Sequence, residues 1–438
     1  MSINFKGYIH MKKLLLTLSI GLLLTQSVFA EEEIEEKSRF ESLSKLTKVI
    51  GTVEKYYVDD IILEEIVNKA LKGLMQELDA HSTFLDAKSS NEMSIQTKGE
   101  FGGLGITVGM RDGALTVISP IDDTPAFKAG VKSSDIILKI DEKSTLNMTL
   151  DEAVSFMRGK PKTDILLTVV RKGENKPVKI RITRDIIKIQ SVFSKTFENE
   201  DLLYLRVSSF DRKVVEGLEK AIKNNPNVKG LVLDLRNNPG GLLSQAIGVV
   251  DLFVDKGVIV SQKGRDEDDE EKFEANSSNT ISKLPMVVLV NGGSASASEI
   301  VSGALQDHKR AIVIGEKTFG KGSVQAILPI TRDRKESIKL TIAKYYLPSG
   351  RTIQAVGVTP DVIAFSGKAT QDENSEFKIK EADLKKHLEG ELEKVDTKVK
   401  KEKENKEDKK IITNEDILND NQLNTSIGIL KSLIIINK

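Results

Sequence analysis

Met286-Val-Val-Leu-Val290, followed directly by Asn291-Gly-Gly-Ser-Ala-Ser-Ala-Ser-Glu-Ile300, is the stretch on which the reading of the fold turns. Its first part is a short β-branched run of the kind that fills a buried strand. A turn of small residues comes next, and beyond it Ile300, Val301, Ala304 and Leu305 recur at helical spacing. Strand, tight turn and helix in that order predict an α/β layer. The turn also presents hydroxyls at a helix N-terminus, where unpaired N–H groups and the helix dipole favour developing negative charge. A serine held there has oxyanion donors beside it. Ser294, Ser296 and Ser298 are equally the residue types that cap helices and fill tight packing.

A second stretch weighs against the purely structural reading. Ala311-Ile-Val-Ile314 is another apolar run, and Gly315-Glu-Lys-Thr-Phe-Gly-Lys-Gly-Ser-Val-Gln325 follows it. Lys321, between Gly320 and Gly322, is poorly suited to packing and well suited to reaching into a site. A serine nucleophile needs a base, and a lysine held neutral can serve. Histidine is the poorer candidate: His10 lies ahead of an export signal and His387 in a charged tail. His308 is on the same predicted helix as Ser296 but about 18 Å along its axis. His81 is too far back in the chain to be placed, and reads as a structural histidine more readily than as a base. Gly315-x-x-x-x-Gly320-Lys321 also looks like the opening of a phosphate-binding loop. There, however, the next residue must be Ser or Thr and a helix must follow. Here Gly322 stands next, and Val324-Gln-Ala-Ile-Leu-Pro-Ile330 reads as a strand, so no nucleotide is expected.

Taken together, these residues resemble the carboxy-terminal processing, or tail-specific, proteases, which use a Ser-Lys pair. The resemblance implies a nucleophile at Ser296 within Ser294-Ala-Ser-Ala-Ser-Glu299, a base at Lys321 within Thr318-Phe-Gly-Lys-Gly-Ser-Val-Gln325, and Gln325 as the residue that orients the lysine. It extends from the first mature helix to beyond Pro360, taking in Leu347-Pro-Ser-Gly-Arg351 and Gly357-Val-Thr-Pro-Asp361. It also implies a crotonase-like ββα protease core. Arg236-Asn-Asn-Pro-Gly-Gly241 lies at a strand-to-helix junction whose glycines let the backbone approach a substrate with N–H groups aimed outward. Alone it would read as an ordinary Pro-Gly turn. With the resemblance, the oxyanion hole falls to the Gly240 or Gly241 N–H together with that of Ala297.

Composition bounds the rest. The chain has 438 residues, enough for two or three cored domains, and its 65 basic side chains balance 65 acidic ones. No net field recruits nucleic acid or an anionic membrane. Tryptophan and cysteine are absent, so there is no thiolate nucleophile, disulfide or cysteine metal site. No cofactor or metal is expected, since His-Glu-x-x-His is missing as well. Met11-Lys-Lys13, the mostly apolar Leu14 to Leu24, and Val28-Phe-Ala30 form a signal peptide cut after Ala30, with translation starting at Met1 or Met11. An uncleaved membrane anchor is the alternative, although the apolar run is short for a bilayer. Export to the periplasm is expected, with secretion or anchoring as the other outcomes.

In chain order, residues 1–30 are the signal and residues 31–96 an acidic run and helices. The first helix shows one apolar face, Phe40, Leu43, Leu46, Val49, Ile50 and Val53. A second runs from about Leu63 to Leu78. Residues 97–185 shift to short strands and turns, starting with Gly99-Glu-Phe-Gly-Gly-Leu-Gly-Ile106. N–H groups around Gly103, Leu104, Gly105 and Ile106 could nest a carboxylate. Thr149-Leu-Asp-Glu152 is a capping box opening a helix with Leu150, Val154 and Met157 on one face. A groove between that strand and that helix would take an extended peptide C-terminus by β-augmentation. This segment resembles a PDZ domain, with Asp135-Ile-Ile-Leu-Lys-Ile-Asp141 matching its usual strand; a small β domain that only packs is the alternative. In some relatives the position of Arg158 couples peptide occupancy to the active site.

Residues 186–366 alternate strand and helix, an α/β core. Arg265-Asp-Glu-Asp-Asp-Glu-Glu271 lacks the spaced ligands and turning glycine of a calcium loop and reads as a solvated loop. Residues 367–438 are Lys/Glu-rich through Lys410 and then carry a helix, Asn414 to Asn437, with an apolar face. The expected partner of that face is the N-terminal helices or a second subunit, and a homodimer is favoured. The whole reads as an exported serine endopeptidase that takes protein substrates by free apolar C-termini, with room for an activating adaptor. Its rivals are a non-catalytic PDZ scaffold on a protease fold, and an exported hydrolase acting on something other than peptides.

Overall fold

The computed structural model describes residues 38–111, 113–266, 270–369 and 411–436. The expected export signal, the acidic run after it, the centre of the 265–271 loop and nearly all of the Lys/Glu-rich stretch lie outside the described residues. The chain divides into two compact units, one made of residues up to Asp86 with Leu328–Leu340, the other of Ala87–Ile327 with the residues from Thr341 onward.

The first unit carries a helix over residues 38–56, the helix Leu63–Gln76, and the strand Thr83–Leu85 paired antiparallel with residues 337–339. Its first helix has the expected apolar stripe, yet Phe40, Leu43, Leu46, Val49 and Val53 are all exposed.

Within the second unit, residues 100–188 form the expected strand-rich domain. Its sheet runs Ile106–Arg111, Ala114–Pro120, Ile136–Ile140, Asp164–Val170, Val178–Thr183, with the short strand Lys143–Ser144 on Ile136–Ile140. The helix Leu150–Met157 starts in the capping box: Glu152 N–H donates to Thr149 Oγ1 at 3.2 Å, and Thr149 N–H to Glu152 Oε2 at 2.8 Å. Arg184 closes its other end, its Nε and Nη2 donating to the carbonyls of Met157 and Phe156. A polar clasp sits among the apolar core of Leu115, Val117, Ile137, Ile140, Leu167 and Ile182. Asp135, 1% exposed, accepts from Arg171 Nε and Nη2 at 2.8 and 2.7 Å and from Lys132 N–H at 2.9 Å. Burial pushes its carboxyl upward, but the Arg171 and Lys132 bonds outweigh burial and hold it below the ordinary aspartate range. Its contribution to stability is therefore present above the unfolded-chain value and lost as pH falls through the lower folded one. Asp135→Asn is expected to destabilise this domain by about 3 kcal/mol at neutral pH. The gap to wild type should begin to narrow below about pH 4 and close only as pH falls through the lower folded value, as read by amide hydrogen exchange along Ile136–Ile140; a pH-independent gap would contradict the account.

The α/β core is a seven-stranded sheet in the order Val362–Ile363, Ile312–Gly315, Met286–Val290, Gly230–Asp234, Glu200–Val207, Val192–Phe197, Ile411–Ile412. All neighbours are parallel except Val192–Phe197 with Glu200–Val207. The central strands Gly230–Asp234 and Met286–Val290 are buried at every position, as parallel strands covered on both faces are. Helices Val214–Lys223, Leu243–Asp251 and Ala297–Asp307 share a core with one face of the sheet.

The C-terminal residues correct two expectations. Asn414 to Asn437 is two helices, Asn414–Leu418 and Asn421–Ile436, preceded by the edge strand Ile411–Ile412. The apolar face does not wait for the N-terminal helices or a second subunit. Leu423, Ile427 and Leu430 are buried on the sheet's other face against Val232, Val287, Leu289 and Ile314. The sheet needed covering on both sides, and the tail supplies the second layer. This burial removes the face on which the homodimer was expected.

Candidate active site

Three parallel strands deliver the site. Asp234 pairs with Leu289 and Val290 with Gly315, so the loops after Gly230–Asp234, Met286–Val290 and Ile312–Gly315 leave the sheet side by side at its carboxyl edge. In open α/β sheets that edge is where ligands bind. The first loop holds Gly240 and Gly241, the second Ser296, the third Lys321.

Ser296 stands where strand turns into helix, at φ 55 and ψ −112, a conformation disfavoured for a residue with a side chain. Such strain is sustained only by surroundings that fix the turn from several sides. Ser294 Oγ donates to the Leu235 carbonyl at 2.8 Å, Ser298 Oγ to the Asn238 carbonyl at 2.9 Å, and Ala295 N–H to that same carbonyl at 3.0 Å. Two of the three serines are thus structural, tying the second loop to the first. Ser296 Oγ donates no hydrogen bond among the described residues, and the residue is 8% exposed.

Glu299, one helical turn on, binds the second loop to the third. It is fully buried and accepts from Ser296 N–H at 2.7 Å, Thr318 Oγ1 at 2.6 Å, Gly320 N–H at 2.7 Å and Lys321 N–H at 2.9 Å. Four donors and no acceptor is the surrounding of a carboxylate acting purely as acceptor. Because Ser296 and Lys321 share Oε2, their backbone nitrogens are no farther apart than those two bonds laid end to end. Thr318 in turn accepts from Val358 N–H at 2.7 Å, which anchors the lysine loop to Gly357-Val-Thr-Pro-Asp361. Lys321 is half-buried. Gln325 directs its amide to the hydroxyls of Ser323 at 2.8 Å and Thr341 at 3.3 Å.

The two glycines differ in what their N–H groups meet. Gly240 N–H is already held by Asn238 Oδ1 at 2.9 Å, while the N–H groups of Gly241 and Ala297 have no partner among the described residues. Gly240 contributes by its size instead. A Cβ there would lie 2.9 Å from Ser296 Cβ and 3.0 Å from Ala297 N, at a φ of +102, so only glycine lets the turn approach the serine. Gly241 packs the turn onto Phe210: Phe210 N–H donates to the Gly240 carbonyl at 2.9 Å, and Leu242 N–H to the Phe210 carbonyl at 2.8 Å. Sequence reasoning missed Asn238 and Glu299. The Ser-x-x-Glu spacing of a capping box was a signal for the latter.

In the strand-rich domain, Leu104 and Gly105 follow the strand Glu100–Gly103, and their N–H groups have no partner among the described residues. Ile106 begins the strand that would receive a peptide. Leu150 and Val154 are half-buried on the helix. Met157 corrects the expectation: at 5% exposure it packs in the domain core. At helical spacing an inward and a groove-lining residue differ by one step, which the sequence pattern does not resolve. Arg158 stacks on the Phe101 ring, 5.1 Å from its centroid. Other expected residues lie elsewhere: His308 caps the far end of the Ser296 helix and bonds the Val258 carbonyl, and His81 belongs to the first unit.

The sequence profile of Peptidase family S41 matches residues 201–364, and that of the PDZ domain residues 102–182. A carboxy-terminal-processing protease of Bartonella bacilliformis is 43% identical over 85% of this chain and 86% of its own length. The carboxy-terminal processing protease CtpA of Bacillus subtilis is 36% identical over 75% of this chain and 69% of its own.

Proposed function

The chain belongs to the carboxy-terminal processing proteases, serine-type peptidases that carry a PDZ domain, and from that premise we propose that Ser296 and Lys321 form its catalytic dyad. The observation that carries the proposal is the single Glu299 oxygen to which both residues give their backbone N–H. Ser296 Oγ attacks the scissile carbonyl carbon while neutral Lys321 Nζ takes its proton. The oxyanion that forms is met by Gly241 and Ala297 N–H, and the helix N-terminus adds its dipole. As the tetrahedral intermediate collapses, the lysine returns the proton to the leaving amine, and water later releases the acyl group from Ser296. A solvated lysine titrates near pH ~10.4, so the amine must be held neutral by its surroundings. Gln325 positions that loop.

The substrate is a protein whose free apolar C-terminus lies in the PDZ groove, its carboxylate on Leu104 and Gly105 N–H and its last side chain against Ile106, Leu150 and Val154. The partnerless amides there support this reading. Export places the enzyme among unfolded or newly translocated chains. A peptide ending in a free apolar residue is expected to bind about tenfold or more tightly than its amidated twin, by fluorescence anisotropy; equal affinities would sink the carboxylate reading. Arg158 would report occupancy through contiguous contacts: Phe101 beneath it adjoins Glu100, Glu100 pairs with Lys213 at 2.5 Å, and Lys213 follows Phe210, which pairs with the Gly240 turn.

A further inference from the structure

The tail that closes the sheet also reaches the active-site turn. Arg236 directly precedes that turn, and its side chain is largely buried. Its Nε donates to both oxygens of Asp234 at 3.0 Å, and Nη2 to Asp234 Oδ2 at 2.6 Å, a pairing within its own strand end. The rest of its donors face the tail. Nη1 bonds Asp420 Oδ1 at 2.9 Å and Gln422 Oε1 at 3.0 Å, and Nη2 lies 2.8 Å from Asp420 Oδ2.

Gln422, 1% exposed, does more than hold one arginine. Its Nε2 donates to the Ala364 carbonyl at 2.9 Å, and Ala364 N–H donates to the Gly315 carbonyl at 3.0 Å. A Cβ on Gly315 would lie 3.4 Å from that same Nε2. Gly315 opens the lysine loop, and Leu289, under which the helix Asn421–Ile436 packs, precedes the serine loop. Gln422 thus bridges the strand ends that launch the first and third loops, and the apolar face of its helix lies under the strand that launches the second.

We infer that Asp420 and Gln422 are positioning residues of the active site, fixing Arg236 and through it the Asn237–Gly241 turn, while the apolar residues of the tail only hold it on the sheet. The function assigned to that turn rests on the dyad reading above; the mechanical role of the tail does not. Neither residue touches a substrate. Asp420 and Gln422 set where the Gly241 N–H points, and a small misplacement of such a donor is enough to slow acylation about 10²-fold.

The test uses the full chain carrying Asp420→Ala with Gln422→Ala, the single conservative change Asp420→Asn, and Leu430→Ala, which loosens the tail in the core without touching Arg236. In the double alanine variant kcat should fall about 10- to 100-fold with KM within about twofold, and the amides of residues 237–241 should exchange at least about tenfold faster. Gly230–Asp234 and Met286–Val290 should keep their protection. The single Asp420→Asn variant keeps an acceptor oxygen for Arg236 Nη1 and leaves both Gln422 bonds in place, and should recover most of the kcat that the double alanine loses. Leu430→Ala should lower thermal stability and leave kcat near wild type below its transition. Wild-type kcat and wild-type exchange at 237–241 in a folded double alanine variant would overturn the inference and leave the tail a cover for the sheet. If the wild type lacks Ser296-dependent turnover, the dyad reading fails, and the exchange measurement alone decides the role of the tail.

Discussion

Ser296→Ala is expected to abolish cleavage of an unfolded protein substrate, and Lys321→Ala to do the same, each by about four orders of magnitude or more. The two losses should not add, because nucleophile and base act as a unit. Neither change should unfold the chain. Ser296 Oγ has no protein acceptor among the described residues, and what fixes the turn is its backbone N–H on Glu299 with the flanking hydroxyls of Ser294 and Ser298. Lys321 is held to Glu299 by backbone, which alanine keeps. Thermal unfolding and turnover, measured together, separate loss of chemistry from loss of fold. Activity persisting in either variant would leave the PDZ scaffold or another hydrolytic chemistry as the better account.

Glu299→Gln is expected to do damage of a different kind. The carboxylate receives three backbone N–H groups and one hydroxyl in a site closed to water. Glutamine presents one oxygen, and its NH₂ would face N–H donors. At least one buried donor then loses its acceptor, and stability should fall by about 3 kcal/mol. Activity should fall further than that loss explains, about 10²-fold or more in kcat/KM in the fraction that remains folded. The cause is that Ser296 and Lys321 are no longer referred to a common atom. Urea unfolding with kcat/KM at low denaturant checks both. A folded, fully active Glu299→Gln enzyme would mean the shared oxygen has no part in aligning the dyad.

Much of this was legible because the central strands are buried on both faces. Met286–Val290 reads as an uninterrupted apolar run and Leu231–Leu233 as a shorter one, and strand, turn and helix followed from them. The capping box at Thr149 and Glu152 was read from side-chain chemistry alone and formed as expected. What stayed hidden depends on partners distant in sequence. Ile411–Ile412 is two residues long, too short to carry a period, and exists because the edge of Val192–Phe197 is there to pair with. The tail helix announced an apolar face but not what covers it. Within the site, the serine and lysine were visible as motifs. Their common anchor was not, because Thr318, Gly320 and Lys321 converge on Glu299 only after two parallel strands have come into register.

The most direct measurement of the central claim is covalent labelling of the folded protein by a fluorophosphonate, with the modified peptide located by mass spectrometry, in wild type and in Lys321→Met. The account predicts one adduct, on Ser296, forming in the wild type and at least about a hundredfold more slowly in Lys321→Met. Labelling of Ser296 at the wild-type rate without the lysine amine, or proteolysis by wild type with Ser296 never labelled, would contradict it.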